Sequence, residues 1–396
     1  QKLAGFFIEQ NPDVTINWVT LEEDTLRSRL TNDIVNEVGE YDVMTIGMYE
    51  APIWGERGWL EPLEFADAYD VEDILPAIRN GLSHEGTLYA APFYGESSMV
   101  MYRADLVQQA GLQIDDRSTW SDIRDVAAAI HDPAQGIYGV CLRGKPGWGD
   151  NMALVTTIAN SFGAQWFDMD WEPTLDSPEW NDAVQFYVDL VRDYGPPDSD
   201  KMSFNEILSL FNQGSCGIWV DATIAASFIS DPLQSRVASQ VAFAQAPLQA
   251  TRKGANWLWA WALAVPTGTD NSETAQLFVE WATSKEYIEL VGNQNGWGAV
   301  PTGTRQSTYD NPAFRRAATF DQAELQAITS ANPTDATLPP SPYIGIQFAA
   351  IPEFQVIGSQ VAQLVASALR GELSVEDAMA QSQTAADKEM NEAGYH

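Results

Sequence analysis

Short apolar runs alternate with capped, helix-periodic stretches along most of this chain, and that alternation restricts the fold to helices layered on sheets. Strand-like runs occupy 15–19, 41–47, 138–143, 216–220 and 241–244, and a longer one covers 257–265. Between them the helix signals are local and chemical. Ser177 followed by Pro178 supplies an N-cap and a first-turn proline for a helix expected to end at Gly195. The stretch 205–211 stops before Gly214, and 271–291 reads as one helix through Leu277, Phe278, Trp281, Ile288 and Val291. Ser374 with Asp377 forms a capping box for a terminal helix. The start at Gln1 falls inside an amphipathic helix carrying Leu3, Phe6 and Phe7, and it reads as trimmed.

A chain of 396 residues exceeds one ordinary core, so two domains are expected. Loop-like breaks fall at 195–198, 249–254 and 332–342, and the one at 249–254 reads as a crossing between domains. Charge excludes whole classes of partner. Fifty-five Asp and Glu stand against 21 Lys and Arg, a net charge of -34, and only 6 of the basic residues are Lys. Such a surface repels nucleic acid and anionic lipid. Because the acidic residues are dispersed and lysine is scarce, adaptation to concentrated salt is expected, where screening shortens self-repulsion. No run of about 18 apolar residues is present to span a membrane. Cys141 and Cys216 lie in short apolar runs, where one disulfide and two buried thiols are both open readings.

Several chemistries lack their residues. His84, His131 and His396 are far apart, so a His/Cys metal site is not expected, and no nucleophile elbow or phosphate loop exists. No motif implies a cofactor. Abundant carboxylates keep one enzyme reading open, a carbohydrate hydrolase using Glu50 and Glu96 as acid and base.

The candidate binding residues follow strand-like runs. Tyr49 and Glu50 lie just beyond 41–47, where ligands bind in open α/β sheets, although Tyr49 could equally cap the core. Glu96 interrupts an apolar stretch from Pro92 to Tyr102; a buried carboxylate needs partners, which ligand hydroxyls or an internal salt bridge would both supply. The run 143–151 joins Arg143, Trp148, Asp150 and Asn151 across three glycines. That mixture suits vicinal hydroxyls, which both donate and accept. Asp221 ends another strand, as a ligand acceptor or as the N-cap of the next helix. Trp257, Trp259 and Trp261 share one face if their segment is a strand, and Trp297 sits in a glycine-flanked turn.

Taken together these residues resemble the extracellular solute-binding proteins of sugar-type ABC importers, and among them the mannitol/sorbitol-binding group. The resemblance rests on Tyr41-Asp42-Val43, on Gly58-Trp59-Leu60-Glu61-Pro62-Leu63, on Leu88-Tyr89-Ala90-Ala91-Pro92, and on Thr119-Trp120-Ser121-Asp122. More specific to the polyol group are Gly47-Met48-Tyr49-Glu50-Ala51-Pro52-Ile53-Trp54, the runs 143–151, 219–223 and 256–261, and Pro342-Tyr343-Ile344-Gly345-Ile346-Gln347-Phe348. It implies a periplasmic-binding-protein-like α/β fold (type II) with two lobes that close on a buried ligand. The first lobe would take 1–93 plus 256–301, the second 94–255 plus 302–396. It also implies a non-enzymatic, extracytoplasmic monomer that delivers its ligand to permease subunits. The ligand is expected to be a linear sugar alcohol, with a mono- or oligosaccharide as the alternative. Expected contacts are Tyr49, Glu50, Glu96, Arg143, Trp148, Asp150, Asp221, Trp257 and Trp297, with Tyr343 from the C-terminal part. In the family a further strand precedes the helix at Gln1, and its tip contributes to the cleft.

Overall fold

The computed structural model describes residues 1–395, and its chain divides into two α/β units, as the alternating pattern implies. The first comprises 1–95 and 259–318, the second 96–258 and 319–396. The backbone passes between them after residues 95, 258 and 318. Two expectations are corrected. The break at 249–254 stays within the second unit, and 302–318 belongs to the first. The cause is specific bonding: Gly95 N donates to Thr302 O and Leu75 N to Thr304 O, while the Arg305 guanidinium lies 4.4 Å from the Tyr69 ring.

The described residues form nine strands: β1 (Met44–Gly47), β2 (Ser83–His84), β3 (Thr87–Leu88), β4 (Ala91–Glu96), β5 (Ser98–Arg103), β6 (Tyr138–Cys141), β7 (Cys216–Ala222), β8 (Val241–Gln245) and β9 (Trp259–Ala264). In the first unit the sheet order is β1-β9-β4, and β1 runs antiparallel to β9 with Gly47 opposite Trp261. Leu63, Ala91, Val265, Ala275 and Val279 form an apolar cluster there. Gly47 is required by close approach, since a Cβ at that position would fall 1.8 Å from the Trp259 ring. The stretch 15–19 forms no strand, because no neighbouring strand offers it a ladder; Trp18 instead meets the edge of Phe278 at 6.2 Å. The helix expected over 271–291 is two helices, Ser272–Ala282 and Lys285–Asn295. Thr283 O turns out to accept from Arg305 Nε and Nη2 at 3.2 Å, and Ser284 caps the second helix through Tyr287 N at 3.0 Å.

In the second unit the order is β6-β7-β5-β8, with β6 parallel to β7 and β5 antiparallel to both β7 and β8. Every residue of β7 is buried, so this strand is covered on both faces. Trp120, Trp166, Trp180, Trp219, Tyr187 and Phe354 are among its large core side chains. The helix Pro178–Tyr194 starts on the Ser177 cap as expected. Gly195 is not left-handed, however (φ −84°); a Cβ there would fall 2.5 Å from Val191 O. Gly214 does take the left-handed region, φ +89°, closing the helix Phe204–Gln213. Ser374 accepts from Asp377 N at 3.0 Å and starts the helix Val375–Ala393. Cys141 and Cys216 form a disulfide between β6 and β7. No helix among the described residues is long and apolar enough to cross a membrane.

Candidate ligand-binding site

The second unit builds one polar wall, and Arg143 is its centre. β6 delivers the chain to Arg143 just past its end, and Tyr187 OH donates to Arg143 O at 2.7 Å. The guanidinium lies over two rings, 5.5 Å from Phe204 and 5.7 Å from Trp257. Its Nε and Nη2 donate to the two oxygens of Asp221 at 2.8 and 2.5 Å, a fork-to-fork pair, and Nη1 donates to Gly149 O at 3.1 Å. Burial alone would lower the Arg143 pKa. The charges of Asp221, Asp150 and Glu96, with the Asp221 hydrogen bonds, more than reverse that, and the group is held firmly protonated.

Asp221 is not a helix cap. It lies inside β7, where its oxygens also accept from Trp219 Nε1 at 2.9 Å and from Ala222 N at 2.6 Å. The following helix, Ala225–Ile229, has no side-chain cap. Four protein donors thus hold the Asp221 carboxylate against Arg143. The loop after Arg143 is laced by its own side chains. Gly147 N donates to Asn151 Oδ1 at 3.2 Å, Asn151 Nδ2 to Ala362 O at 3.1 Å, and Ser203 Oγ to Asp150. Lys145 Nζ stands 3.8 Å from Asp150. Trp148 is buried edge-on to Phe348 (6.2 Å) and Phe354 (5.9 Å).

Trp257 closes the wall. Its segment is not a strand; it precedes β9 and is pinned by side chains instead. Trp257 N donates to Ser98 Oγ at 3.1 Å and Ser97 Oγ donates to Trp257 O at 2.7 Å. Gln347 then brackets Leu258, accepting from its N at 3.3 Å and donating to its O at 2.9 Å. Glu96 is buried at the end of β4, where the chain enters the second unit. Tyr343 is also buried, but its hydroxyl accepts from Trp166 N at 3.0 Å, and burial pushes its pKa up to about 12. That places Tyr343 in the packing of this unit, while Gln347, four residues on, supports Trp257.

The first unit carries Tyr49, Glu50 and Trp297. Tyr49 is buried at the N-cap position of Glu50–Glu56, two residues after Gly47. Glu50 is held by protein groups: Arg27 donates to one oxygen and Gly47 N to the other at 3.0 Å. Arg27 also bonds Glu23 at 3.1 and 3.0 Å and lies over Trp259 and Trp261 (5.2 and 4.9 Å). Thus Trp259 and Trp261 pack against Arg27 within the first unit, whereas Trp257 belongs to the second. Trp297, half-buried, lies against Gly292 of the preceding helix.

Sequence reasoning missed Arg27, Ser97, Ser98 and Gln347. Arg27 had a signal, an arginine four residues after Glu23; Ser97 and Ser98 lie in the interrupted stretch 92–102 and Gln347 in the run 342–348, but none of the three was singled out. No group of three or more His, Cys, Asp or Glu is gathered as a metal site among the described residues, and His396 lies outside them. His131 Nδ1 accepts from Gly139 N at 3.2 Å, a structural bond.

Comparison with known proteins gives the family of this chain. Residues 1–289 match the family described as bacterial extracellular solute-binding protein. A mannitol-binding protein of Pseudomonas aeruginosa is 49% identical over 396 residues, covering 100% of this chain and 91% of that protein. A solved ABC transporter solute-binding protein of Agrobacterium vitis, with bound D-mannitol, superposes with a TM-score of 0.98. It is 50% identical, and the match covers 99% of this chain and 95% of that one. Another from Agrobacterium radiobacter, in complex with ribitol, is 25% identical with a TM-score of 0.85 over 98% of this chain and 94% of that one. These relatives bind solutes rather than transform them, and this chain likewise is a binding protein and not an enzyme. The chain belongs to the bacterial extracellular solute-binding protein family.

Proposed function

We propose that this protein captures a linear sugar alcohol, D-mannitol first, as the substrate-binding component of an ABC importer. One observation carries the reading. The solved relative with D-mannitol bound is half identical over nearly the whole chain, at a TM-score of 0.98. The site chemistry supports it: Arg143, already neutralised by Asp221 and set against Trp257, suits an uncharged, hydroxyl-rich guest better than an anion. In this reading Arg143, Trp257, Glu96 and Tyr49 meet the ligand, while Asp221, Asp150, Glu50 and Tyr343 hold other groups in place. Calorimetry with mannitol, sorbitol, ribitol and maltose tests it. Stoichiometric binding of a hexitol is expected, and its absence across the polyols would end the proposal. Truncating Arg143 to Met should cost about 1.5–3 kcal/mol of binding, the worth of a hydrogen bond from a charged group.

The finer features belong to the same proposal. Sorbitol as a second ligand, permease subunits as partners, an extracytoplasmic location and a monomeric state all follow from the importer role. Salt adaptation rests on the net charge of -34, and a melting temperature that does not rise with added salt would remove it.

A further inference from the structure

The polar wall of the second unit holds more hydrogen-bond donors than the protein answers, and what they select rests on the polyol reading above. Trp257 is 2% exposed, and its Nε1–H is buried with no acceptor. Other buried indoles of this unit are answered: Trp219 Nε1 donates to Asp221 at 2.9 Å and Trp180 Nε1 to Gln165 O at 2.6 Å. Trp166 Nε1 also lacks an acceptor, but its ring is enclosed by Trp180 (5.2 Å) and Phe354 (4.9 Å). Among the described residues, Trp257 is the one such indole with a guanidinium over its ring.

Arg143 adds to the count. A guanidinium carries five N–H donors. Asp221 takes Nε and one hydrogen of Nη2, and Gly149 O takes one of Nη1. One N–H on each Nη is left over, with Cζ 5.7 Å from the Trp257 ring centroid. The Ser97 and Ser98 bonds fix the Trp257 backbone, and Gln347 holds both backbone groups of the next residue, Leu258. A buried donor without a partner is costly, and a ligand oxygen placed there removes the cost. Charge then restricts which oxygen. Asp221, Asp150 and Glu96 all act electrostatically on Arg143, and Lys145 is the one other cation bonded within this loop among the described residues. An anion placed on these donors comes within electrostatic reach of the same three carboxylates, so a carboxylate or phosphate meets repulsion where a hydroxyl does not.

We infer that the Trp257 N–H together with the two remaining Arg143 N–H groups is a specificity-determining donor set, which accepts neutral hydroxyl oxygens and rejects the acid and phosphate forms of the same carbon chain.

Calorimetry tests this with wild type and Trp257→Phe against D-mannitol, D-mannonate, D-mannitol 1-phosphate and the mono-deoxymannitols. Wild type should bind mannitol at least roughly a hundredfold more tightly than either anion. Trp257→Phe should lose about tenfold on mannitol, and one mono-deoxymannitol, about tenfold weaker on wild type, should bind both proteins alike. If the variant melts too early to assay, the deoxy series on wild type decides, and no deoxy compound losing more than about twofold overturns the inference. So do a Trp257→Phe affinity within about twofold of wild type and a mannonate affinity equal to that of mannitol. In those cases mannitol still binds and the importer reading survives. Wild type binding no polyol at all overturns that reading, and this inference with it.

Discussion

Replacing Asp221 with Asn is the sharpest perturbation of this protein, because it leaves the shape of the site and removes the charge that answers Arg143. The carboxylate accepts from Arg143 Nε at 2.8 Å and Nη2 at 2.5 Å, from Trp219 Nε1 at 2.9 Å and from Ala222 N at 2.6 Å. An amide keeps one acceptor oxygen and turns the other toward Arg143 as a donor. The guanidinium cannot relieve the loss by giving up its proton, since arginine stays charged in proteins. Two charge-assisted bonds at about 1.5–3 kcal/mol each give about 3–6 kcal/mol. Breaking one member of a buried ion pair independently gives about 3–5 kcal/mol. The two estimates agree, and either is a large share of the roughly 5–15 kcal/mol that holds a typical domain folded. Equilibrium urea unfolding should therefore move the Asp221→Asn midpoint down by at least about 1 M for a slope near 3 kcal/mol per M. Replacing the pair together, Arg143→Met with Asp221→Asn, which keeps an acceptor oxygen for Trp219 Nε1 or Ala222 N, should recover part of the lost stability while weakening mannitol binding. A single variant within about 0.5 kcal/mol of wild type would refute the reasoning, as would a double variant less stable than the single.

Arg27→Met should destabilise by about 3 kcal/mol in the same assay, because it strands the buried Glu50 carboxylate and uncovers Trp259 and Trp261; recovery on adding Glu50→Gln would confirm the cause. Burial raises the Asp73 pKa, but bonds from Ser307 and the charges of Lys285 and Arg305 outweigh it, so the folded value lies below the unfolded one. Its stabilisation is therefore complete above the unfolded carboxylate range near 3.9 and is lost as pH falls through the folded pKa. Melting of Asp73→Asn should be lower than wild type at pH 7 and converge with it near about pH 2, and parallel curves would contradict this. Thiol titration of the denatured, unreduced protein should find no free thiol, since Cys141 and Cys216 are bonded, and two after reduction.

Local chemistry was legible in the sequence wherever a few neighbouring residues decide the outcome. The Ser177-Pro178 start, the stop at Gly214 and the Ser374 cap are each settled within one helical turn, and the structure keeps all three. The alternation of β and α elements likewise follows from short-range hydrophobic period. What failed needed distant partners. The run 15–19 has strand composition yet no strand to pair with, and the helix over 271–291 breaks where Arg305 claims the Thr283 carbonyl. The candidate site divides the same way. Residue type pointed to Arg143 and Asp221, a guanidinium and a carboxylate after strand-like runs being the right chemistry for hydroxyls, while Trp257 was singled out from its neighbouring indoles by the family resemblance. Which of them is free to meet a ligand depended on hydrogen bonds across 78 residues of chain, from Arg143 to Asp221, and across 160, from Ser97 to Trp257. Those contacts turned Asp221 into the support of Arg143 and left the Trp257 N–H unanswered. A donor's vacancy depends on everything folded around it, and tertiary structure alone decides that.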